Sequence, residues 1–220
     1  LVGSEMCIRD SRKSAVTTVI DTGSSGPGNF LGFRKHIIER SSVNILAFLH
    51  ISHAGIYAFS DRVMVGESEN IKMMDPKTAI DVIRANKDCV VGIKVRLGKQ
   101  TSGDNGIYPL AIAKKVAEKT NMPIMVHIDE APPSYSEVLA QMRSNDILTH
   151  CFRPSPNSPL DRDEKILPAV LDARKRGVVF DIGHGMKSFC FRVTKKMLAE
   201  NFYPDTISSD IHAMCLSLIH

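Results

Sequence analysis

Five residues in this chain of 220 combine a reactive side chain with a repeated position. Lys94 lies inside the run Val90-Val91-Gly92-Ile93-Lys94-Val95, His127 ends Pro123-Ile124-Met125-Val126-His127, and His150 ends Ile147-Leu148-Thr149-His150. His184 follows Val179-Phe180-Asp181-Ile182-Gly183, and Asp210 ends Thr206-Ile207-Ser208-Ser209-Asp210. The runs read as strands, so an amine, three imidazoles and a carboxylate recur at or just past strand ends. In a barrel of parallel strands that edge is the active-site face, where groups far apart in sequence converge on one pocket. Each group also has a plainer use. A lone strand-end histidine is more often a hydrogen-bonded structural residue. Asp210 alone would serve as a helix N-cap. Lys94 is harder to dismiss, because an ammonium inside an apolar strand is costly unless paired or neutralised; its plain alternative is to snorkel outward. That all of them recur in successive units favours the pocket.

The elements that must position these groups alternate along the chain. Strands are expected over 16–20, 43–51, 89–97, 123–128, 146–151, 178–182 and 206–210, and helices over 29–40, 77–86, 109–119, 134–142, 165–175 and 189–200. The helix over 109–119 places Leu110, Ala113 and Ala117 on one face and Lys114, Lys115 and Glu118 on the other. Gly177 follows 165–175 as a helix-ending glycine. Strand followed by helix, about seven times over, argues a parallel sheet covered by helices. The strands are short and apolar throughout, as strands buried on both faces should be. This alternation alone fits an open doubly wound sheet as well as a closed barrel. Gly23-Ser24-Ser25-Gly26-Pro27-Gly28 lacks both the Lys-Ser/Thr of a phosphate loop and the spacing of a dinucleotide fingerprint, so it reads as a turn into a helix.

Composition narrows the classes further. A net charge of +4, with Lys and Arg interleaved among Asp and Glu, gives no basic tract for nucleic acid. A hydrophobic fraction of 43% suffices for one large domain, yet no apolar stretch approaches the ~18 residues of a membrane span. No tract resembles a secretion signal. Five cysteines without paired spacing read as reduced thiols, and a cytoplasmic location is expected. The two ends, 1–11 and 215–220, look like translated sequencing adapter rather than native sequence, which would leave Cys7, Cys215 and His220 without meaning and the domain at 12–214.

Taken together, Gly92-Ile93-Lys94-Val95-Arg96, Pro123-Ile124-Met125-Val126-His127, Thr149-His150-Cys151-Phe152, Phe180-Asp181-Ile182-Gly183-His184-Gly185 and Ser208-Ser209-Asp210-Ile211-His212 resemble the amidohydrolase superfamily, in its dihydroorotase-like amidohydrolase/deacetylase branch. The resemblance covers about Ser14 to Ala213. It implies an α/β fold, the (β/α)8 TIM-type barrel, with two divalent metal ions, usually zinc. It implies that Lys94 is N-carboxylated and bridges the metals, that His127 and His150 ligate the second metal, and that Asp210 ligates the first and acts as base. His184 would contact substrate, with Arg96 and Arg153 available for a substrate carboxylate. The chemistry is coherent. A neutral lysine amine reacts with CO2 to give an anionic carbamate, and imidazole and carboxylate suit zinc. Two metals acidify a bridging water, giving a hydroxide, and polarise the scissile carbonyl. The expected activity is hydrolysis of an amide or ester bond in a small molecule, by a deacetylase first and by a dihydroorotase-type cyclic amide hydrolase second. A homo-oligomer is compatible with this reading.

One departure counts against a complete site. The family opens its barrel with a His-x-His pair on strand one, and no His-x-His occurs here. The strand at 16–20 looks like strand two, so the barrel is expected to be incomplete, without strand one or the accessory β-sandwich, and the chain as given inactive. The alternative is a non-catalytic barrel homologue that has lost its metals and serves as a scaffold or binding subunit.

Overall fold

Runs of β-branched and aliphatic residues alternate with amphipathic stretches, and the computed structural model, which describes residues 15–56, 65–185 and 187–210, turns each pair into a strand and a covering helix. Six strands follow one another: β1 (Thr18–Thr22), β2 (Asn44–His50), β3 (Val90–Leu97), β4 (Ile124–Ile128), β5 (Ile147–Leu148) and β6 (Val179–Phe180). They form one sheet in the order β1-β2-β3-β4-β5-β6, every neighbouring pair parallel. Sequential parallel order with helical crossovers is the progression of a (β/α) barrel, and the sheet curls as about half of one.

The helices are α1 (Phe30–Phe33), α2 (Pro76–Ala85), α3 (Tyr108–Thr120), α4 (Tyr135–Gln141), α5 (Pro168–Lys175) and α6 (Phe191–Ala199). Their starts follow local chemistry. Asp75 caps α2 by accepting from the amides of Lys77 and Thr78, with Pro76 in the first turn. Ser134 and Glu137 form a capping box on α4. The core lies between sheet and helices. Ile93, Val95 and Leu97 of β3 and Leu110, Ala113 and Val116 of α3 are all buried in one apolar cluster. Each large aliphatic side chain there contributes roughly 1.5–3 kcal/mol by burial. A buried carboxylate, Asp146, ties the start of β4 to the chain entering β5, accepting from the Ile124 amide at 3.0 Å and from Arg143 Nη2 at 2.9 Å. No helix among the described residues is long and apolar enough to cross a membrane. Cys89, Cys151 and Cys190 are free thiols.

Several expected elements are shorter than the sequence suggests. The helix over 29–40 is one α-turn followed by a π-turn at Arg34–Ile38, which widens where Arg34 is held by Asp88 and Asn86. The helix over 165–175 starts only at Pro168, because Asp161 draws the Lys165 amide into a turn and Leu160 pairs with Ile166. The strand over 146–151 pairs only at Ile147–Leu148, since His150 turns left-handed at φ +63. The seventh strand, 206–210, is a single bridge between Asp181 and Thr206, continued by bonds from the His184 and Gly185 amides to the carbonyls of Ser208 and Ser209. The adapter-like ends at 1–11 and 215–220, with Cys7, Cys215, His220 and His212, lie outside the described residues.

Candidate active site

Side chains two apart on a strand share a face, and on β3 that puts Gly92, Lys94 and Arg96 together. The parallel register sets His50 of β2 beside Lys94, and His127 of β4 beside Arg96. Lys94 is buried, with 4% of its surface exposed. It does not snorkel outward. Gly23, at φ +105, makes room for it: a Cβ there would sit 2.7 Å from Lys94 Cγ. Burial lowers the Lys94 amine to about 8, against the opposing pull of Asp210 and, more weakly, of Asp181 and Glu67.

His127 and His150 meet edge to face, their ring centroids 4.6 Å apart. Nδ1 of His127 lies 2.8 Å from Nε2 of His150. The other nitrogen of His150, Nδ1, is 2.6 Å from the Gly183 carbonyl, which can only accept, so that nitrogen carries the proton and Nε2 is left with a lone pair. Burial pushes His150 down to about 4, Asp210 opposing, and burial followed by the charge of His150 pushes His127 well below the usual range. Both rings are neutral at pH 7. Asp210 Oδ2 stands 3.9 Å from His150 Nε2. Asp210 takes a left-handed backbone conformation, φ +48.

Of the residues expected at the site, His127, His150 and Asp210 come together, and Lys94 lies within electrostatic reach of His150 and Asp210. The others are placed differently. Arg96 donates through Nε and Nη2 to Glu67 at 2.6 and 3.0 Å. Arg153 donates through Nη1 to the carbonyls of Asp129 and Asn157 at 2.6 and 2.8 Å, bracing the chain after β4. The His184 ring packs on Phe189, centroids 5.1 Å apart, in an apolar hollow shared with Phe152, Ile182 and Phe191.

Other polar groups at this edge were not singled out from the sequence. His50 takes the Ser52 amide on Nδ1 at 2.9 Å and turns Nε2 to Glu67, 3.3 Å away. Burial opposes the charge on Glu67, but the His50 ring and the Arg96 guanidinium outweigh it and hold the carboxyl down to about 2. Asp181 accepts from the hydroxyls of Thr149, Thr206 and Ser208 at 2.7–2.8 Å. His50 ends β2 and Asp21 is the last residue but one of β1, so the strand-end rule that selected His127 also reaches them. Glu67 lies in a loop and carries no such signal.

The donor set suits a divalent cation in kind: two neutral imidazole nitrogens aimed at each other, a carboxylate beside them and a buried amine that burial favours in its neutral form. Among the described residues, His, Cys, Asp and Glu alone nowhere form a group of three placed to hold an ion, so the fit depends on Lys94 as a donor.

Fold and edge together define a (β/α)-barrel protein with its polar site at the carboxyl ends of the strands. No family model matches the chain. It is 37% identical over 213 residues to a deacetylase of Brucella anthropi, covering 96% of this chain and 52% of that protein. A solved structure of an adenine deaminase superposes with a TM-score of 0.84 at 39% identity, covering 90% of this chain and 52% of that one. A dihydroorotase structure gives 0.82 at 36% identity, over 91% and 53%. The proteins this chain resembles, deacetylases, an adenine deaminase and a dihydroorotase at 36–40% identity, are members of the amidohydrolase superfamily. The chain spans about half the length of the curated relatives it matches.

Proposed function

We propose that the protein is a metal-dependent amidohydrolase that cleaves an amide or ester bond of a small molecule, with deacetylation as the leading activity. The observation that carries this reading is the pairing of His127 Nδ1 with His150 Nε2 beside Asp210 and the buried Lys94. The deacetylase name of the Brucella relative favours the acyl-amide substrate, and the dihydroorotase neighbour keeps a cyclic amide as the second.

His127, His150, Asp210 and Lys94 would hold two divalent ions, zinc by ligand type. Bound there, such ions supply Lewis acidity toward a carbonyl oxygen and a more acidic water. The chain's own residues do the rest. An amine lowered to about 8 is roughly one-tenth neutral at pH 7, far more than an ordinary lysine. Nζ can then bond to the carbon of CO2 and release a proton, which replaces a buried cation by an anionic carbamate. His150 is locked in one tautomer by the Gly183 carbonyl, which keeps its Nε2 lone pair facing the site. Asp210 accepts the proton of the attacking water and returns it to the leaving nitrogen.

The test is metal analysis of the full-length protein together with hydrolysis assays on N-acetylated amines, acetate esters and dihydroorotate. Zinc retained on purification, with turnover of the acetylated compounds that a chelator abolishes, is the expected result. Full activity in metal-free protein would refute the reading, and exclusive turnover of dihydroorotate would select the second substrate.

A further inference from the structure

His127 has two ring nitrogens and two neighbours. Nδ1 faces His150 Nε2 at 2.8 Å, and Nε2 faces Asp129 Oδ2 at 3.8 Å. Since His150 Nε2 carries a lone pair, a neutral His127 can satisfy the first contact only with its proton on Nδ1. That leaves a bare Nε2 turned toward a carboxylate, lone pair against lone pair. Moving the proton to Nε2 reverses both relations: Nε2–H then points at Asp129, and two lone pairs, Nδ1 of His127 and Nε2 of His150, face one point, which a cation satisfies and nothing else in this pair does.

The surroundings hold Asp129 for that contact. Its amide donates to the Leu97 carbonyl at 2.9 Å, and its own carbonyl accepts from Arg153 Nη1 and Asn157 Nδ2 at 2.6 and 2.8 Å. Thr101 Oγ1 donates to Oδ2 at 3.1 Å, while Oδ1 is buried without a hydrogen bond of ordinary geometry. Gly98, at φ +138, vacates the space the carboxylate fills: a Cβ there would lie 1.7 Å from Oδ1. The carboxylate is therefore fixed from three sides, and an acceptor oxygen remains available. A shift of about 1 Å in the His127 side chain brings Nε2–H into hydrogen-bond range of Oδ2, 3.8 Å away.

We propose that Asp129 is a positioning residue for His127, which accepts the Nε2 proton and so presents the Nδ1 lone pair to a divalent cation. The inference rests on the metal-site reading above. Carboxylate partners of this kind orient ligating imidazoles and raise their basicity, and losing one typically weakens metal affinity ~10–100-fold.

The experiment uses the full-length protein and its Asp129→Ala, Asp129→Asn, Gly98→Ala and His127→Ala variants, each checked for folding by thermal unfolding. Zinc affinity is measured by competition with a chelator, and the His127 Nε2–H resonance is followed in zinc-saturated, 15N-histidine-labelled protein. Asp129→Ala should weaken zinc ~10–100-fold and shift the Nε2–H signal upfield, with KM at saturating zinc unchanged. Asp129→Asn, which keeps an acceptor oxygen, should recover part of both, and Gly98→Ala should mimic the loss by displacing the carboxylate. Unchanged zinc affinity and an unmoved signal in folded Asp129→Ala would overturn the proposal. So would a fall in kcat alone, which would make Asp129 a participant in the chemistry. Zinc binding unaffected in His127→Ala would instead remove the metal-site reading itself.

Discussion

Lys94 tests the site most directly, because it is buried in β3 with its charge balanced at a distance by Asp210, Asp181, Glu67 and Asp21. Lys94→Ala should lower the metal content of the full-length protein, and Lys94→Arg should not restore it, because a guanidinium does not form the carbamate. Metal analysis showing full occupancy in Lys94→Ala would end the carboxylysine proposal. Asp210→Asn keeps the shape but loses the base, so kcat should fall by at least ~10²-fold, while His127 and His150 still retain metal. The histidine pair also sets a pH dependence. Burial holds His150 at about 4 in the fold, against 6.5 when unfolded, so between those values the unfolded chain binds more protons. Its contribution to stability is complete above pH 6.5 and is lost as the pH falls toward 4. In chelator-treated protein, denaturant unfolding should show that decline between pH 6.5 and 4, and a shallower one in His150→Asn. Equal slopes in the two proteins would mean that His150 is not buried neutral.

At the scale of elements, the sequence is informative wherever a strand is long and apolar and a helix keeps one apolar face. Val90 to Leu97 and the helix beyond it are legible for that reason. The segment 206–210 is not. Its residues are β-branched and polar enough for a strand, yet Ile207 is 84% exposed and one bridge stands where a ladder was expected. Propensity reports what a residue tolerates, whereas pairing depends on neighbours that no local pattern encodes. What holds this segment is the buried Asp181 carboxylate, through Thr206 and Ser208. Asp181→Ala should therefore speed hydrogen exchange at the amides of Ile182 and His184, which donate into the segment, more than at β3. Uniform change across the sheet would assign Asp181 to global stability instead. The Arg96–Glu67 pair spans β3 and a loop that the sequence does not link. Arg96→Ala leaves the Glu67 carboxylate buried without its bidentate partner and should cost ~3–5 kcal/mol in equilibrium unfolding. A loss below ~1 kcal/mol would show that His50 and solvent suffice.

At the scale of the molecule, fold class and the site's edge follow from one rule, that parallel strands in sequence bring their carboxyl ends to one face. That rule is why residues spread over more than a hundred positions could be grouped from the sequence, and why His127, His150 and Asp210 meet. It does not give side-chain direction beyond the strand end, so His184, four residues past β6 on a loop, turns to Phe189 and the apolar hollow. Nor does it reveal which cations are already engaged: Arg96 and Arg153 read as substrate clamps until their partners Glu67 and the Asp129 carbonyl are placed. The same geometry has a consequence for stability. The ligand candidates come from β3, β4, the turn after β5 and the 206–210 segment, so a bound ion would join four units at one end of the sheet. A ligand that binds only the folded state stabilises it by RT ln(1 + [L]/Kd), about 2.7 kcal/mol at a hundredfold excess over Kd. Zinc added to chelator-treated full-length protein should therefore raise its Tm by several degrees, in proportion to the logarithm of zinc concentration. His150→Ala should flatten that dependence, whereas Phe191→Ala, in the lining of the apolar hollow, should leave it intact. A zinc-independent Tm in the unmodified protein would mean that the histidine pair is a hydrogen-bonded joint between β4 and β5, and that the units are held together by packing alone.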